Sequence, residues 1–267
     1  MTKKSIIISS ILLSIVALMA ILFGAVFRLR NVSVEVQPGA NITVTNDKIV
    51  ESANLKKGKS IFMLDKQSAI NNVEQTYAEI KVVQIKTTNL MSVKIVVRER
   101  KEMFYAEHNS AYYCLDEDLK VLRLTEVEPT NLIKITTDIG ITSNTKKCDF
   151  MSQDYSKITY DMFVGMYTYV KIDNSRDAER EDMCNLVESI EIKTAHALTE
   201  DGNGGFEYTN LILKTRAGVV MQIANPNTDL GRKINICFAA YFNPAVDNTK
   251  GRIVIKYDGT NVYLPND

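Results

Sequence analysis

Hydrophobic positions along this chain fall into three regimes: one unbroken run, a stretch that switches between strand-like and helix-like spacing, and a long tract of short strand-like segments. The run is Ile6 to Phe27, IIISSILLSIVALMAILFGAVF, and it holds no charged residue. As a helix it rises roughly 33 Å, enough to cross a hydrocarbon core of about 30 Å. A secretory signal peptide has an apolar region of roughly 15 residues at most and an A-x-A-like cleavage site. This run is longer and continues through Phe23, Val26 and Phe27 into Arg28. It predicts an uncleaved transmembrane anchor over 6–27, with residues 1–5 as a short tail. Lys3 and Lys4 flank one side and Arg28 and Arg30 the other, so charge alone orients it weakly. The bulk of the chain follows the anchor, and long domains translocate largely regardless of charge, which favours the N-terminus inside and the rest outside. Ser10/Ser14 and Ala20/Gly24 are spaced for helix packing but read as ordinary anchor residues.

Beyond the anchor, Val32, Val34 and Val36 alternate with Ser33 and Glu35, the pattern of a half-buried strand. Thr45-Asn46-Asp47 offers helix caps ahead of Ile49, Val50 and Ala53, and Gly58 ends that helix. Asp65 caps a second helix with Ile70, Val73 and Tyr77 on one face and Leu64 and Ala69 as a staple. Two strands follow, one through Val83 and Ile85, the other through Val93, Ile95 and Val97. The predicted order over 28–100 is β-α-α-β-β.

From 101 to 267 the pattern predicts a second domain. Met103–Glu107 and Tyr112–Leu115 read as strands, and Asp154–Val170 and Asp177–Val187 as helices, the latter with Met183, Leu186 and Val187 on its apolar side. Ile190 and Ile192 open another strand. Leu211 and Leu213 pair with Val219, Met221 and Ile223 around Arg216-Ala217-Gly218, and Asp229–Phe242 is a last helix. Ile253 and Ile255 precede Asp258-Gly259, which predicts a type I′ hairpin turn with positive φ at both residues, and Thr260–Leu264 returns as the final strand.

Two stretches carry a resemblance. GKSIFMLDKQSAINNVEQ and EIKVVQIKTTNLMSVKIVVRERK, with Gly58, Ile61 and Asp65 leading into the second helix and a strand closing on Glu99-Arg100, resemble the POTRA domain of the FtsQ/DivIB family of bacterial cell-division proteins. Leu90 and Glu102 stand where that family usually has prolines. CLDEDLKVLRL resembles a family hairpin with Leu119 in place of its glycine, and Val254-Ile255-Lys256-Tyr257-Asp258 resembles the strand that precedes the family's short returning strand. The likeness spans Ile6 to Pro265, loosely over Val127–Val187. It implies an α+β fold: a single N-terminal transmembrane helix, a POTRA domain, and a larger mixed β-sheet domain with flanking helices.

Composition changes this picture little. The 32 basic and 32 acidic side chains balance, which gives no charge argument for nucleic acid. Counted along the sequence, Arg28–Arg100 holds 12 Lys/Arg against 7 Asp/Glu, and the chain from Lys101 onward 18 against 25. A basic segment next to a bilayer can favour anionic headgroups, although such an excess also suits an ordinary solvated surface. Cys114, Cys148, Cys184 and Cys237 form no C-x-x-C pair, and Cys114 and Cys237 sit in apolar runs that predict buried thiols.

No catalytic constellation is written in the sequence. His108 in AEHNS and His196 in KTAHALTE lack metal-binding or triad spacing. The glycine-rich Asp201–Phe206 lacks the order of a phosphate loop and reads as a hairpin loop. Asp116-Glu117-Asp118 lacks calcium-loop spacing and reads as surface acids. The expectation is a protein that is not an enzyme, with no cofactor, metal, nucleic acid or small-molecule substrate. An anchored extracytoplasmic sensor or hydrolase is the alternative.

The resemblance further implies a bitopic scaffold in the cytoplasmic membrane, gathered at the division septum. Small coiled-coil proteins of the FtsB/DivIC and FtsL type would dock on its C-terminal strand edge, which involves Lys256, Tyr257, Gly259, Thr260, Asn261, Val262, Tyr263 and Leu264. A terminal strand exposes backbone groups to which an extended segment can add.

Overall fold

The structure, a computed structural model, describes residues 3–21, 27–151, 183–198, 205–256 and 258–265. Helix α1 (Lys3–Ile21) takes up the apolar run as far as Ile21, and its side chains from Ser10 to Met19 are exposed. The next part of the predicted span, 22–26, lies outside the described residues. Among the described residues no helix is long and apolar enough to cross a membrane. The chain divides into two units, Met1–Arg100 and Lys101–Asp267.

The first unit has a three-stranded sheet in the order β1-β3-β2, built from β1 (Asn31–Val36), β2 (Ile80–Asn89) and β3 (Ser92–Glu99). β3 runs parallel to β1 and antiparallel to β2. Val96 of this central strand is buried, and Val93, Ile95 and Val97 are wholly buried on the opposite face. Helices α2 (Asn46–Ser52) and α3 (Lys66–Thr76) cover that face with Ile49, Ala69 and Val73. As predicted, the Asp65 carboxylate caps α3, accepting the Ser68 N–H at 2.9 Å. Thr45 is the N-cap of α2 but makes no side-chain bond there.

Val83 departs from expectation. The register between β2 and β3 slips between Val82 and Gln84, so the alternation breaks and Val83 turns outward while Val82 and Ile85 are buried. Glu74, on α3, repairs this place: its Oε1 accepts the Val82 N–H at 2.8 Å. Its other oxygen pairs with Arg100 Nη2 at 2.7 Å, and the Arg100 side chain is almost wholly buried. Arg100 Nε also donates to the Ile80 carbonyl at 3.2 Å. One carboxylate thus joins α3, the bulge and the end of β3.

The second unit is a nine-stranded mixed sheet in the order β12-β11-β10-β9-β8-β7-β4-β5-β6. Its strands are β4 (Phe104–His108), β5 (Ala111–Leu115), β6 (Val121–Thr125), β7 (Ile133–Ile135), β8 (Val187–Leu198), β9 (Gly205–Thr215), β10 (Val220–Ala224), β11 (Arg252–Ile255) and β12 (Asn261–Leu264). The β4/β7, β7/β8 and β10/β11 pairs are parallel, and the rest antiparallel. Helix α4 (Leu230–Tyr241) packs across β10–β12. Its buried Leu230, Ile234, Cys237, Phe238 and Tyr241 recur at helical spacing and form one apolar stripe. Lys233 is buried too, and its ammonium donates to the carbonyls of Ala224 and Asn225, both at 2.8 Å, closing the end of β10. Burial holds its pKa below the ordinary lysine value.

Several sequence expectations change here. Asp154–Val170, residues 177–182 and the glycine-rich 201–204 lie outside the described residues. Met183–Leu186 forms one helical turn, but Val187 begins β8, opposite Thr215, instead of ending a helix. The type I′ turn falls at Asn109 and Ser110, with φ of 51° and 61° between β4 and β5. Cys114 and Cys237 are buried thiols, and burial raises the pKa of both, Cys114 to about 11.

Asp116 and Glu117 are buried, not surface acids. The β5–β6 turn folds inward beneath 148–151: the Val121 N–H reaches the Asp149 carbonyl at 2.8 Å and the Met151 N–H reaches that of Leu119 at 2.9 Å. Asp116 Oδ1 accepts the N–H groups of Asp118 and Lys120 at 3.0 and 2.9 Å, which replaces the hydration a buried carboxylate loses. Leu119, in the glycine position of the resemblance, has φ of 56° and is wholly buried. Left-handed strain costs roughly 1–2 kcal/mol, and burying the side chain offsets it by about 1.5–3 kcal/mol.

Replacing Glu74 by Ala should destabilise the first unit by about 3–5 kcal/mol, because the Arg100 charge loses its buried carboxylate. A lowered urea midpoint would register this, and a loss below about 1 kcal/mol would mean the pair behaves as a solvated one. Leu119→Gly relieves strain but empties a core position, so a net loss of about 1–3 kcal/mol is expected in the same assay. A rise in stability would show that strain dominates.

Candidate partner-binding edge

The C-terminal hairpin hangs from β10. β11 lies parallel to β10, and β12 returns antiparallel on its far side, so β12 ends the sheet. Ile253 and Ile255 are wholly buried on the face that α4 covers. The turn is not the two-residue turn expected: the Gly259 N–H donates to the Lys256 carbonyl at 3.0 Å, and the Lys256 N–H to that of Thr260 at 2.9 Å. The ladder thus closes at Lys256–Thr260, one residue earlier on β11 than a two-residue turn would place it, with Gly259 in the left-handed region (φ 82°). Asp258 Oδ1 locks it by accepting the Thr260 N–H at 2.9 Å and hydroxyl at 2.7 Å. Those two donors hold the Asp258 carboxyl below its ordinary pKa.

The loop length decides which backbone groups face out. With Lys256 bonded to Thr260, the pairs Val254–Val262 and Arg252–Leu264 bond inward. Consistently, the alternate residue Gly251 turns its carbonyl the other way, to the Val220 N–H at 3.0 Å. The N–H and C=O of Asn261 and Tyr263 therefore point to the open side of β12. Among the described residues none bonds to that side. At the opposite end of the sheet β6 is partly covered, because Val121 exchanges bonds with Cys148 and Asp149. Among the described residues, β12 is the open one of the two edges.

The predicted site residues divide by role. Lys256, Thr260 and Asn261 are exposed. Val262 is half-buried and Leu264 exposed; both oppose β11 residues on the face away from α4, where Val254 is half-buried. Tyr263 opposes Ile253, packs on the core, and donates its hydroxyl to the carbonyls of Asp247 and Lys250 at 3.0 and 3.2 Å. Its ring is a strut that fixes the strand, and what it presents outward is backbone. Tyr257 lies outside the described residues. Gly251 was missed in the sequence, although Thr249-Lys250-Gly251 has the look of a turn. Its φ is 89°, and a Cβ there would meet the Leu264 carbonyl oxygen at 2.6 Å and the Tyr263 ring at 3.0 Å. Among the described residues no three His, Cys, Asp or Glu side chains are placed to hold a metal ion.

A three-stranded β-α-α-β-β unit followed by an open-edged mixed sheet defines a class of POTRA-bearing protein, and residues 27–100 match the POTRA domain of FtsQ type. Over 238 residues, covering 89% of this chain and 82% of the relative, the sequence is 23% identical to the cell division protein DivIB of Clostridium acetobutylicum. The first unit is thus an FtsQ-type POTRA domain, and over 89% of its length the chain is a distant homologue of DivIB.

Gly251→Ala should push β12 off its register, with a cost on the order of 1–3 kcal/mol. Faster hydrogen exchange at the Val262 and Leu264 amides, with the β8–β9 amides unchanged, is the expected result. Unchanged exchange at Val262 and Leu264 would show that the close approach is not needed.

Proposed function

We propose that this chain is a non-enzymatic, bitopic scaffold of bacterial cell division. In this reading residues 6–27 span the cytoplasmic membrane once, with 1–5 inside and both units (28–100 and 101–267) outside, at the septum. There it recruits or regulates septal division proteins. The observation that carries the reading is the open side of β12, where the amides of Asn261 and Tyr263 face outward beside Val262 and Leu264. Such an edge accepts an extended segment of another chain through backbone bonds, with neighbouring side chains supplying selectivity. Similarity to DivIB supports small coiled-coil division proteins of the FtsB/DivIC and FtsL type as the source of that segment. The exposed apolar side chains of α1 support the anchor, since a helix apolar on all sides needs a hydrocarbon or protein environment.

The test separates outward from inward amides. Asn261→Pro removes an outward N–H and leaves the Val254–Val262 and Arg252–Leu264 pairs in place, as proline on an edge strand allows. It should weaken partner binding about tenfold or more while sparing the fold. Val262→Pro instead breaks the hairpin itself. Titration calorimetry against the co-expressed coiled-coil partners, with circular dichroism as the folding control, gives the readout. Undiminished affinity in a folded Asn261→Pro chain would rule out docking on this edge.

A further inference from the structure

The POTRA unit carries an exposed apolar tip that the proposed function does not use. After α2 the chain turns at Gly58 (φ 86°) and enters a short 3₁₀ turn, Ile61–Met63. Ile61 is buried, while Phe62 and Met63 are 64% and 81% exposed. This tip is bonded to the last residue of the apolar run and to the segment that follows it. The Ile61 N–H donates to the Phe27 carbonyl at 2.7 Å, the Leu29 N–H to that of Lys59 at 2.8 Å, and the Gly58 N–H to that of Leu29 at 2.8 Å. The Phe27 and Phe62 rings meet edge to face at 5.1 Å.

Basic groups predominate at the tip, and the nearest acid in sequence, Asp65, is engaged as the cap of α3. Lys56, Lys57 and Lys59 are exposed on the same loop, Arg28 and Arg30 are exposed on the bonded segment, and no acidic residue occurs from Ser52 to Leu64. We propose that this tip is a membrane-surface contact: Phe62 and Met63 enter the headgroup–acyl boundary of the outer leaflet while the surrounding lysines and arginines bind anionic lipid. The inference rests on reading 6–27 as a membrane span. Given that span, Phe27 lies at the end of the hydrocarbon, and the bonds to Phe27 and Leu29 hold the tip at headgroup level. Apolar side chains enter that boundary to a depth of about 5–10 Å. Attraction of basic groups to anionic lipid acts within a Debye length, about 8 Å at physiological salt. The contact would fix how the POTRA unit stands on the bilayer, which a flexible link after the span would leave free.

The sequence contains no tryptophan, so single substitutions make clean probes. Full-length Phe62→Trp and, separately, Met63→Trp are reconstituted in vesicles of phosphatidylglycerol and phosphatidylcholine brominated on the acyl chains. Val127→Trp, at an exposed position of the second unit, is the reference. The expected result is a blue shift and loss of most emission for both tip probes, little change for the reference, and weaker quenching when Lys56, Lys57 and Lys59 are all changed to Glu. Tip emission unshifted and unquenched, in protein that resists alkaline extraction from the vesicles, overturns the proposal and leaves the span intact. Quenching indifferent to the lysine changes overturns its electrostatic half. Release of the protein by alkaline extraction overturns the span itself, and the proposal with it.

Discussion

A sheet supplies partners for backbone N–H and C=O groups only where strands run in register, and buried groups left without partners cost about 1–3 kcal/mol each. Much of the polar chemistry in this chain follows from that constraint. At the β2 bulge the ladder fails and Glu74 accepts the Val82 N–H. At the β5–β6 turn Asp116 accepts two N–H groups. At the end of β10 the Lys233 ammonium satisfies two carbonyls. Arg216 does the same for the carbonyls of Cys184 and Leu132, at 2.9 and 3.1 Å, tying the entrances of β7 and β8 to the β9–β10 turn. In each case a charged side chain stands in for a missing strand, buried at Glu74, Asp116 and Lys233 and exposed at Arg216. The outer side of β12 is handled differently, since among the described residues no side chain stands in for a strand there.

The same constraint explains what could be read in the sequence. The alternation Val93, Ile95, Val97 was legible because β3 has a strand on each side and no bulge of its own. The capping role of Asp65 was legible because it is settled within one helical turn. Val83 misled because the bulge depends on a carboxylate from α3, eight residues back from Val82 in sequence and across the unit in structure. Asp116 and Glu117 misled because their burial depends on 148–151 returning over the turn, a contact that local polarity cannot foresee. At the C-terminus the Asp-Gly pair announced a hairpin correctly but not its loop length. That one-residue difference, with the ladder closing at Lys256–Thr260, sets which amides of β12 face outward. Gly251 was invisible because its need arises from a chain segment after the next turn, whose Leu264 carbonyl oxygen would lie 2.6 Å from a Cβ placed there.

Magnitudes place a limit on what such an edge can do alone. Two outward residues and the stop at Pro265 give an adding strand few backbone bonds, each worth about 0.5–1.5 kcal/mol net. Covering the exposed parts of Val262 and Leu264 adds about 1 kcal/mol apiece. Against this stands a cost of association of at least about 4 kcal/mol. A lone extended peptide in solution would hold β12 weakly. The shortness has a compensating value, because a long, flat, open edge invites pairing with any strand, including a second copy of itself.

In the proposed assembly the missing affinity comes from confinement. Two chains anchored in one membrane search a thin layer instead of a volume, and tethering can raise the strength of a second contact by factors of about 10²–10⁴ without any new bond. A weak, selective edge suits that situation, since it engages a partner already held nearby and releases it when the partner leaves.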